Sequence, residues 1–265
     1  MAHSIKYAKQ LPLPFGIPAP ALTLIECHFE FEPPADQADV FACLFQSEPV
    51  PNWKSYEGST RLIDLQCEPD LLFAGLPKRT RYEINRATKK DRVDVSFFSS
   101  PTDERLDEFM NYYDEFAVSK GVPRMNRPQL RALRTAEKAA LSFARTTGGA
   151  ILASHAYILN GARARLTHSA SLFRLERKSS ERGQIGRANR LLHWNDLVTL
   201  RDMGVACYDF GGWYEGSQNE ALVRINAFKK EFGGEAVREW SSFDAGSTLG
   251  SLYLAARDLM LRRKH

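Results

Sequence analysis

The chain is poor in cysteine: it has four in 265 residues, and no two of them form a C-x-x-C pair. Cys27, Cys43, Cys67 and Cys207 are instead scattered along the sequence. This pattern predicts neither a zinc site nor a disulfide framework. It favours a reducing compartment, so we expect a cytoplasmic protein.

Long apolar runs are also missing, since no segment approaches the roughly 20 apolar residues that a membrane-spanning helix needs. The start of the chain is interrupted by Pro12, Pro14, Pro18 and Pro20, which do not fit the continuous apolar segment of a signal peptide. We therefore expect a chain that is not exported and has no membrane span. Its proline-rich start is expected to pack as an extended arm.

The motifs of several enzyme classes are absent. The sequence has no H-E-x-x-H pair, no Cys/His metal set, no G-x-S-x-G elbow and no G-x-x-x-x-G-K-[ST] loop. The glycine pairs at 211–212 and 233–234 lack the strand-to-helix spacing of a dinucleotide fingerprint. We therefore expect no metal site, and the corresponding serine-nucleophile and nucleotide chemistries are disfavoured.

The composition is that of a globular chain, with 43% hydrophobic residues and a formal net charge of only +4. This content can fill one large domain or two small lobes. A proline-rich connection near 49–58 predicts an N-terminal extension at 1–58 and a main domain at 59–265. Basic residues gather at 78–92, 163–190 and 257–264, where they can attract phosphates or RNA or form solvated faces.

Apolar periodicity predicts an α/β chain with strands and helices in mixed order. Strands are expected at 22–31, 61–66, 93–98, 141–145, 151–159, 162–171 and 205–210. Helices are expected at 36–45, at 70–90 with a break at Pro77, from Thr102 or Asp103 to 119, at 128–138 and at 189–203. Asn160-Gly161 predicts a two-residue hairpin turn, because both central positions of a type I′ turn have positive φ.

A run of small and polar residues comes directly before the helix expected at 189–203: Gly183, Gln184, Ile185, Gly186, Arg187 and Ala188. We expect this run to form a loop. Small residues at a helix start let free backbone N–H groups approach a phosphate, and the helix dipole adds attraction. The loop is therefore a candidate anion site, with an ordinary flexible connection as the alternative.

Three stretches of the sequence resemble motifs of one family: L-P-K-R-T-R-Y-E-I-N-R-A at 76–87, Y-D-F-G-G at 208–212 and F-K-x-x-F-G-G at 228–234. Together with the order of elements, they resemble the GNAT acyltransferases, and more closely their FemAB-like branch, the peptidoglycan-bridge aminoacyltransferases and their single-domain relatives. The segment 183–188 matches the GNAT pyrophosphate motif in part, with Gly183 where glutamine or arginine is usual. The chain is short for the two full lobes of that branch and has no heptad arm for tRNA.

The resemblance implies a GNAT-like α/β fold, with a mixed central sheet flanked by helices and a small N-terminal extension. It also implies an enzyme that moves an acyl or aminoacyl group from an activated donor to an amine. Acyl-CoA or an acyl-carrier protein thioester is the first expected donor, because the loop at 183–188 suits a pyrophosphate, and no permanently bound cofactor is expected. Aminoacyl-tRNA with a cell-envelope precursor is an alternative, as is a GNAT-like binding module without catalysis.

By the same resemblance, Lys229 lies near the donor or the developing negative charge, with Lys230 as its competitor and a surface position as the alternative. Asp209 is a candidate acceptor of the amine proton, or a structural cap of the turn that follows it. Tyr214 or Tyr208 is a candidate proton donor to the leaving thiolate, or a packed residue.

His168 and Ser169 lie on the strand that meets the thioester in GNAT enzymes, and a structural role is the alternative for this histidine. His155 and His193 have weaker claims. The basic segment with Lys78, Arg81 and Tyr82 resembles the part of FemAB-like proteins that approaches an anionic acceptor. A basic amphipathic helix, with Ile84 and Ala87 inward, is the alternative for that segment.

Overall fold

The computed structural model describes residues 4–10, 21–34, 36–173, 176 and 178–262. The proline-rich segment 11–20, expected to form an extended arm, and the basic residues 263–264 lie outside the described part of the chain. The chain divides into two compact units. Unit 1 comprises Met1–Gly58, Pro128–Ala136 and Arg238–His265, and unit 2 comprises Ser59–Arg127 and Glu137–Val237.

Strands and helices occur in mixed order along the described residues. The strands are β1 (Ser4–Gln10), β2 (Ala21–His28), β3 (Val40–Gln46), β4 (Lys54–Asp64), β5 (Asp94–Phe98), β6 (Ala139–Arg145), β7 (Ile151–Asn160), β8 (Arg163–Ala170), β9 (Cys207–Gly212) and β10 (Glu235–Ala245). The helices are α1 (Pro69–Gly75), α2 (Lys78–Lys89), α3 (Asp103–Lys120), α4 (Arg127–Thr135), α5 (Ser179–Asp202), α6 (Glu220–Lys230) and α7 (Thr248–Arg262). None of these helices has the length and apolar content needed to cross a membrane.

Unit 1 contains strands in the order β1-β2-β3-β10. β2 and β3 run parallel, whereas β1 pairs with β2 and β10 with β3 in antiparallel fashion. The helix expected at 36–45 is therefore wrong, because this segment forms β3. Its branched and aromatic residues suit a pleated surface, and pairing with β2 buries Val40 and Ala42 completely or nearly so.

A disulfide joins Cys27 of β2 to Cys43 of β3. The expectation of no disulfide is thus wrong. The two residues are register partners in the parallel pair, and their Cα atoms are 4.8 Å apart, a distance that permits the bond. Spacing along the sequence does not reveal this pairing, because it arises only when β2 and β3 align. Cys67 and Cys207 are free thiols.

Unit 2 contains strands in the order β4-β9-β8-β7-β6-β5. β6, β7 and β8 form an antiparallel meander of the three strands expected at 141–171, β5 pairs with β6 in antiparallel fashion, and β9 joins in parallel beside β8. The hairpin between β7 and β8 is confirmed, but its turn lies one residue later, at Gly161-Ala162, because Asn160 pairs with Arg163. Gly161 has φ of +52° while Asn160 has no positive φ, so the expected type I′ turn is wrong.

The helices of unit 2 carry apolar faces that match the expected periodicity. The break at Pro77 is confirmed, and α2 buries Ile84 and Ala87. Thr102, one of the two expected first residues, caps α3, and Gly121 ends the helix with φ of +67°. These faces surround a core with large side chains that have almost no exposure, among them Tyr157, Tyr208, Leu192, Leu197 and Leu200.

The loop expected at 183–188 is wrong, because α5 begins at Ser179 and includes this whole segment. Its apolar face continues from Ile185 and Ala188 into the rest of the helix, which explains why the segment is helical. The Arg182 N–H already donates to the Lys178 carbonyl, so the backbone N–H groups beyond it lie inside the helix. The argument from free N–H groups at the start of a helix therefore does not apply to them.

Candidate active site

A cavity of about 610 Å³ in unit 2 lies among β8, β9, α3, α5 and α6. Aromatic and aliphatic side chains form much of its lining: Phe116, Leu166, Phe173, Phe210, Ile225 and Phe228. Polar groups also line it, namely Ser169, Asn189, His193 and Lys229, together with exposed Lys120 and Arg224. An apolar cavity with a few polar groups at fixed positions is the usual form of a small-molecule site.

Lys229 is the buried cation of this cavity. The Asn219 side chain caps α6 by accepting from the N–H groups of Ala221 and Leu222, and Lys229 follows in the last turn. Its Nζ donates to the carbonyl oxygens of Gly211 at 2.9 Å and Gly212 at 2.5 Å. The side chain is thereby held against the end of β9, with only 9% of the residue exposed.

Lys230, the competing lysine, is exposed and lies over the Trp213 ring at 5.6 Å. It is not among the residues that line the cavity. The distinction follows from the helix, since consecutive residues point in directions about 100° apart at 3.6 residues per turn. The structure thus places Lys229 at the cavity and Lys230 outside it.

Asp209 is fully buried and holds the turn at the end of β9. Its carboxylate accepts from the Gly211 N–H at 2.8 Å, from the Arg163 Nε at 2.9 Å, from the Arg165 guanidinium at 2.8 Å and from the Thr60 hydroxyl. Burial alone would raise the pKa of Asp209, but the two guanidinium groups outweigh burial and hold the pKa below its ordinary value.

This environment matches the structural alternative for Asp209. The Asp209 carboxylate is held by Arg163 and Arg165 and does not line the cavity, so it has no access to an amine bound there. The side chains of Asp209 and Lys229 both contact Gly211 but at different atoms, and of the two only Lys229 is among the residues that line the cavity.

Gly211 is required where it stands. Its φ is +71°, a conformation that residues with a Cβ rarely adopt. A Cβ at this position would also lie 2.8 Å from the carbonyl oxygen of Leu166, which is part of the cavity lining. The glycine therefore allows β9 to approach β8 beside the cavity.

Neither candidate tyrosine contacts the cavity. Tyr208 is fully buried, and burial, with Asp196 nearby, raises its pKa well above the ordinary value. Tyr214 follows β9, and its backbone makes two hydrogen bonds with the Asn226 side chain while its hydroxyl accepts from the Asn219 N–H. Both tyrosines therefore fit the packed alternative.

His168 and Ser169 are separated by the structure. Ser169 lines the cavity, whereas His168 packs edge-on against Tyr113 with ring centroids 4.8 Å apart. Burial lowers the pKa of His168 to about 4, and its Nδ1 has no hydrogen-bond partner among the described residues. His168 thus fits the structural alternative.

The basic residues of α2 lie away from the cavity. Lys78 is exposed, Arg81 donates to the Ala74 carbonyl at 2.7 Å, and Tyr82 is 59% exposed. The same helix buries Ile84 on its other face, as the amphipathic alternative predicts. The acceptor role of these residues, which the sequence suggested by resemblance, stays a prediction.

The segment 183–188 lies mostly at another place in unit 2. Gly183, Gln184 and Arg187 line a separate cavity of about 450 Å³ near the start of α5. Arg187 is paired there with Asp91 at 2.5 Å. Gly186 faces the side chain of Arg190, while Ile185 and Ala188 are buried in the core. The pyrophosphate role of this segment stays a prediction, although the segment is helical and does not form the loop on which that role was based.

A buried polar network beside the cavity was not singled out from the sequence. Its members are Ser142 of β6, His155 and Tyr157 of β7, Asn189, His193 and Asp196 of α5, and Tyr208 of β9. A signal was present, because the three polar residues of α5 are spaced at i, i+4 and i+7 on an otherwise apolar helix face. In the described part of the chain, no three His, Cys, Asp or Glu side chains form a group able to hold a metal ion.

Comparison with known proteins gives similarity in structure but not in sequence. No protein-family model matches the chain, and no curated protein matches it either. Among solved structures, FemX aligns with a TM-score of 0.62 at 13% identity, over 89% of this chain and 88% of FemX. The C-terminal domain (DUF2156) of a protein assigned as a lysylphosphatidylglycerol synthetase from Agrobacterium fabrum aligns with a TM-score of 0.52 at 14% identity, over 83% of this chain and 72% of that domain.

At such low identity these similarities establish the fold. The chain has a mixed α/β fold similar to that of FemX, and the expectation of an α/β fold with a mixed sheet flanked by helices is confirmed. Because the alignment covers 89% of this chain, it includes residues of both units.

Proposed function

We propose that unit 2 carries an acyltransferase site that moves an acyl or aminoacyl group from an activated donor to an amine. The observation that carries this proposal is the position of Lys229. Its ammonium group is buried, held by two backbone carbonyls at the end of β9, and part of the lining of an apolar cavity. FemX, whose fold the chain shares, supports a transferase of this kind.

The chemistry of acyl transfer gives a reason for a buried ammonium group, that of Lys229, in the cavity. When an amine attacks an activated carbonyl, negative charge develops on the carbonyl oxygen and then on the leaving atom. A fixed positive group in a water-poor site stabilises that charge more strongly than the same group in water. Lys229 supplies this charge in the proposal, and its two carbonyl contacts fix its position before the substrate arrives.

The cavity wall explains where the transferred group is bound. At about 610 Å³ the cavity has the size of a small-molecule site, and Phe210, Ile225 and Phe228 give it an apolar surface. Such a wall suits the side chain of an aminoacyl group or a short acyl chain, and it excludes water that would hydrolyse the donor.

Two donors remain in the proposal. An acyl-CoA or acyl-carrier thioester was expected first, but that preference depended on a phosphate loop at 183–188, and this segment is helical. An aminoacyl-tRNA gains support from the neighbour whose name refers to lysylphosphatidylglycerol, a lipid that carries an amino acid. Both donors contain phosphate, which the exposed Lys120 and Arg224 of the cavity can attract.

The proposal is tested by turnover assays of the full chain with a panel of acyl-CoA thioesters and a panel of aminoacyl-tRNAs. With the accepted donor, Lys229→Met should lower kcat by about 100-fold to 1,000-fold, the usual cost of removing one oxyanion-stabilising group. Lys230→Met is the matched control, because it removes a neighbouring charge outside the cavity, and it should keep kcat within about threefold.

Full turnover by Lys229→Met would contradict the role of this residue. Absence of turnover by the wild-type chain with both panels would contradict the proposed activity and favour a binding module.

A further inference from the structure

Hydrogen bonds link the buried Asp196 to the cavity through three aromatic side chains. The Tyr157 hydroxyl donates to Asp196 Oδ2 at 2.6 Å, and the Tyr157 and Tyr208 oxygens are 3.1 Å apart. The Tyr208 oxygen is 3.0 Å from Nδ1 of His193, and His193 lines the cavity. The chain of contacts therefore runs from the core of unit 2 to its candidate active site.

The direction of these hydrogen bonds follows from the number of protons. Each hydroxyl has a single proton to donate. Because Tyr157 donates its proton to Asp196, its contact with Tyr208 is a hydrogen bond only if Tyr208 donates. Tyr208 then has no proton left for His193, so His193 must donate from Nδ1. This arrangement makes every contact a hydrogen bond, and it leaves Nε2 of a neutral His193 as an unprotonated acceptor.

The surroundings of His193 favour the neutral ring. Burial lowers the pKa of His193 well below its ordinary value, and His155, Lys229 and Arg190 lower it further. The rings of His155, at 4.1 Å, and Phe210, at 4.9 Å, restrict its orientation. Nε2 has no hydrogen-bond partner among the described residues, so it is available to a ligand in the cavity.

We propose that His193 is the catalytic base that takes the proton from the acceptor amine, and that Asp196, Tyr157 and Tyr208 are positioning residues that fix its tautomer. This inference rests on the proposed acyl transfer. Nε2 accepts one N–H proton as the amine nitrogen forms its bond to the carbonyl carbon. The bond between that carbon and the leaving atom then breaks, and the leaving atom receives the proton from Nε2. One bond forms, one breaks, and the histidine returns to its neutral state.

Asp196 contributes by its charge. Its Oδ2 accepts from Tyr157, from the Ser142 hydroxyl at 2.8 Å and from Nδ1 of His155 at 2.7 Å. When His193 gains a proton, its positive charge is stabilised through the two tyrosine hydroxyls by this carboxylate. Polarised hydrogen bonds in a buried site strengthen one another, so the effect of Asp196 extends to the cavity.

The first test reads the histidine tautomer without any substrate. The probe is nitrogen NMR of the full chain labelled at histidine, with His193 assigned by comparison with His193→Gln. The expected result is a neutral His193 ring that is protonated at Nδ1 and bare at Nε2. Tyr208→Phe should change the Nδ1 signal, whereas Tyr112→Phe should leave it unchanged, because the Tyr112 hydroxyl accepts from the Leu172 N–H, outside this network. A wild-type ring protonated at Nε2 would overturn the inference.

The second test uses the donor and acceptor found in the turnover assays. His193→Gln should lower kcat by about 100-fold, the usual contribution of a general base. Tyr208→Phe should lower kcat by about tenfold, leave KM unchanged and shift the pH dependence of kcat, because the base has lost its fixed tautomer. Tyr112→Phe is the matched control for a buried tyrosine of the same unit and should keep the wild-type values.

The outcomes separate this inference from the function on which it rests. Wild-type turnover that is unaffected by both His193→Gln and Tyr208→Phe would overturn the base and leave the transferase intact. Equal losses in Tyr208→Phe and Tyr112→Phe, without a change in pH profile, would assign the network a structural role only. Absence of wild-type turnover would contradict both the proposed acyl transfer and the role of His193 as its base. The NMR experiment would still show which nitrogen of His193 carries the proton.

Discussion

The side chains of Asp209 and Lys229 both form hydrogen bonds with the backbone of Gly211, but with different atoms, and their roles differ accordingly. The Asp209 carboxylate accepts the Gly211 N–H, while the Lys229 ammonium donates to the Gly211 carbonyl. The sequence predicted that both residues matter, from the motifs around them. It did not predict which one faces the cavity, because that depends on Arg163 and Arg165, which lie on another strand.

Two glycines provide a prediction at this scale. Gly211→Ala should lower the free energy of unfolding by about 1–3 kcal/mol, because a positive φ and the Leu166 carbonyl both oppose a Cβ. Gly186→Ala should raise the free energy of unfolding by about 0.5–1 kcal/mol. Gly186 lies inside α5, and an added Cβ would lie 3.9 Å from an Arg190 side-chain atom, which is ordinary van der Waals contact. Denaturant unfolding of both variants measures the difference. Equal effects of the two substitutions would contradict this account.

At the scale of elements, long periodic segments were predictable and pairings were not. Most strands and helices of unit 2 agree with the sequence, including the break at Pro77 and the Thr102 cap of α3. Two of the errors, at 36–45 and 183–188, arose where local patterns are ambiguous. Val40 to Phe45 is almost entirely apolar, so its pattern is compatible with both a helix and a strand. Pairing with β2 makes it a strand. At Gly183 and Gly186, the apolar face of α5 outweighs the low helix propensity of glycine.

The β2–β3 pair gives a prediction that thiol titration can check. Under denaturing, non-reducing conditions we expect two reactive thiols, Cys67 and Cys207, and after reduction all four cysteines. Cys43→Ala should lower the free energy of unfolding by about 2–4 kcal/mol relative to the oxidised chain, because the crosslink restricts the unfolded state. The same substitution compared under reducing conditions is the control, and it should show a smaller loss. Four reactive thiols before reduction would show that the disulfide is absent.

At the scale of the whole molecule, buried ionisable groups should make stability depend on pH. Burial lowers the pKa of His168 to about 4, below the value of about 6.5 expected in the unfolded chain. Between these values the unfolded state binds more protons than the folded state. The free energy of unfolding should therefore fall as the pH falls from about 6.5 to about 4, by about 3 kcal/mol for this residue.

His168→Gln should reduce the slope of this part of the stability profile, as measured by denaturant unfolding at a series of pH values. Some slope should remain, because burial also lowers the pKa of His193. Asp209 acts in a lower range, because its pKa is held below the ordinary value and its contribution is lost only as the pH falls through that lowered pKa. Asp209→Asn should therefore leave the slope between about pH 6.5 and about pH 4 in place. A wild-type stability that is constant over that range would contradict the lowered pKa of His168.

The fixing of Lys229 by main-chain atoms has a consequence for redesign. Because the carbonyls of Gly211 and Gly212 accept from its ammonium, two of the contacts that position the charge come from the main chain and not from side chains. Ile225 and Ala221 can therefore be exchanged for larger or smaller residues to change the shape of the cavity while the charge stays in place. For the proposed acyl transfer, the shape of the cavity and the buried charge are therefore separate targets for redesign.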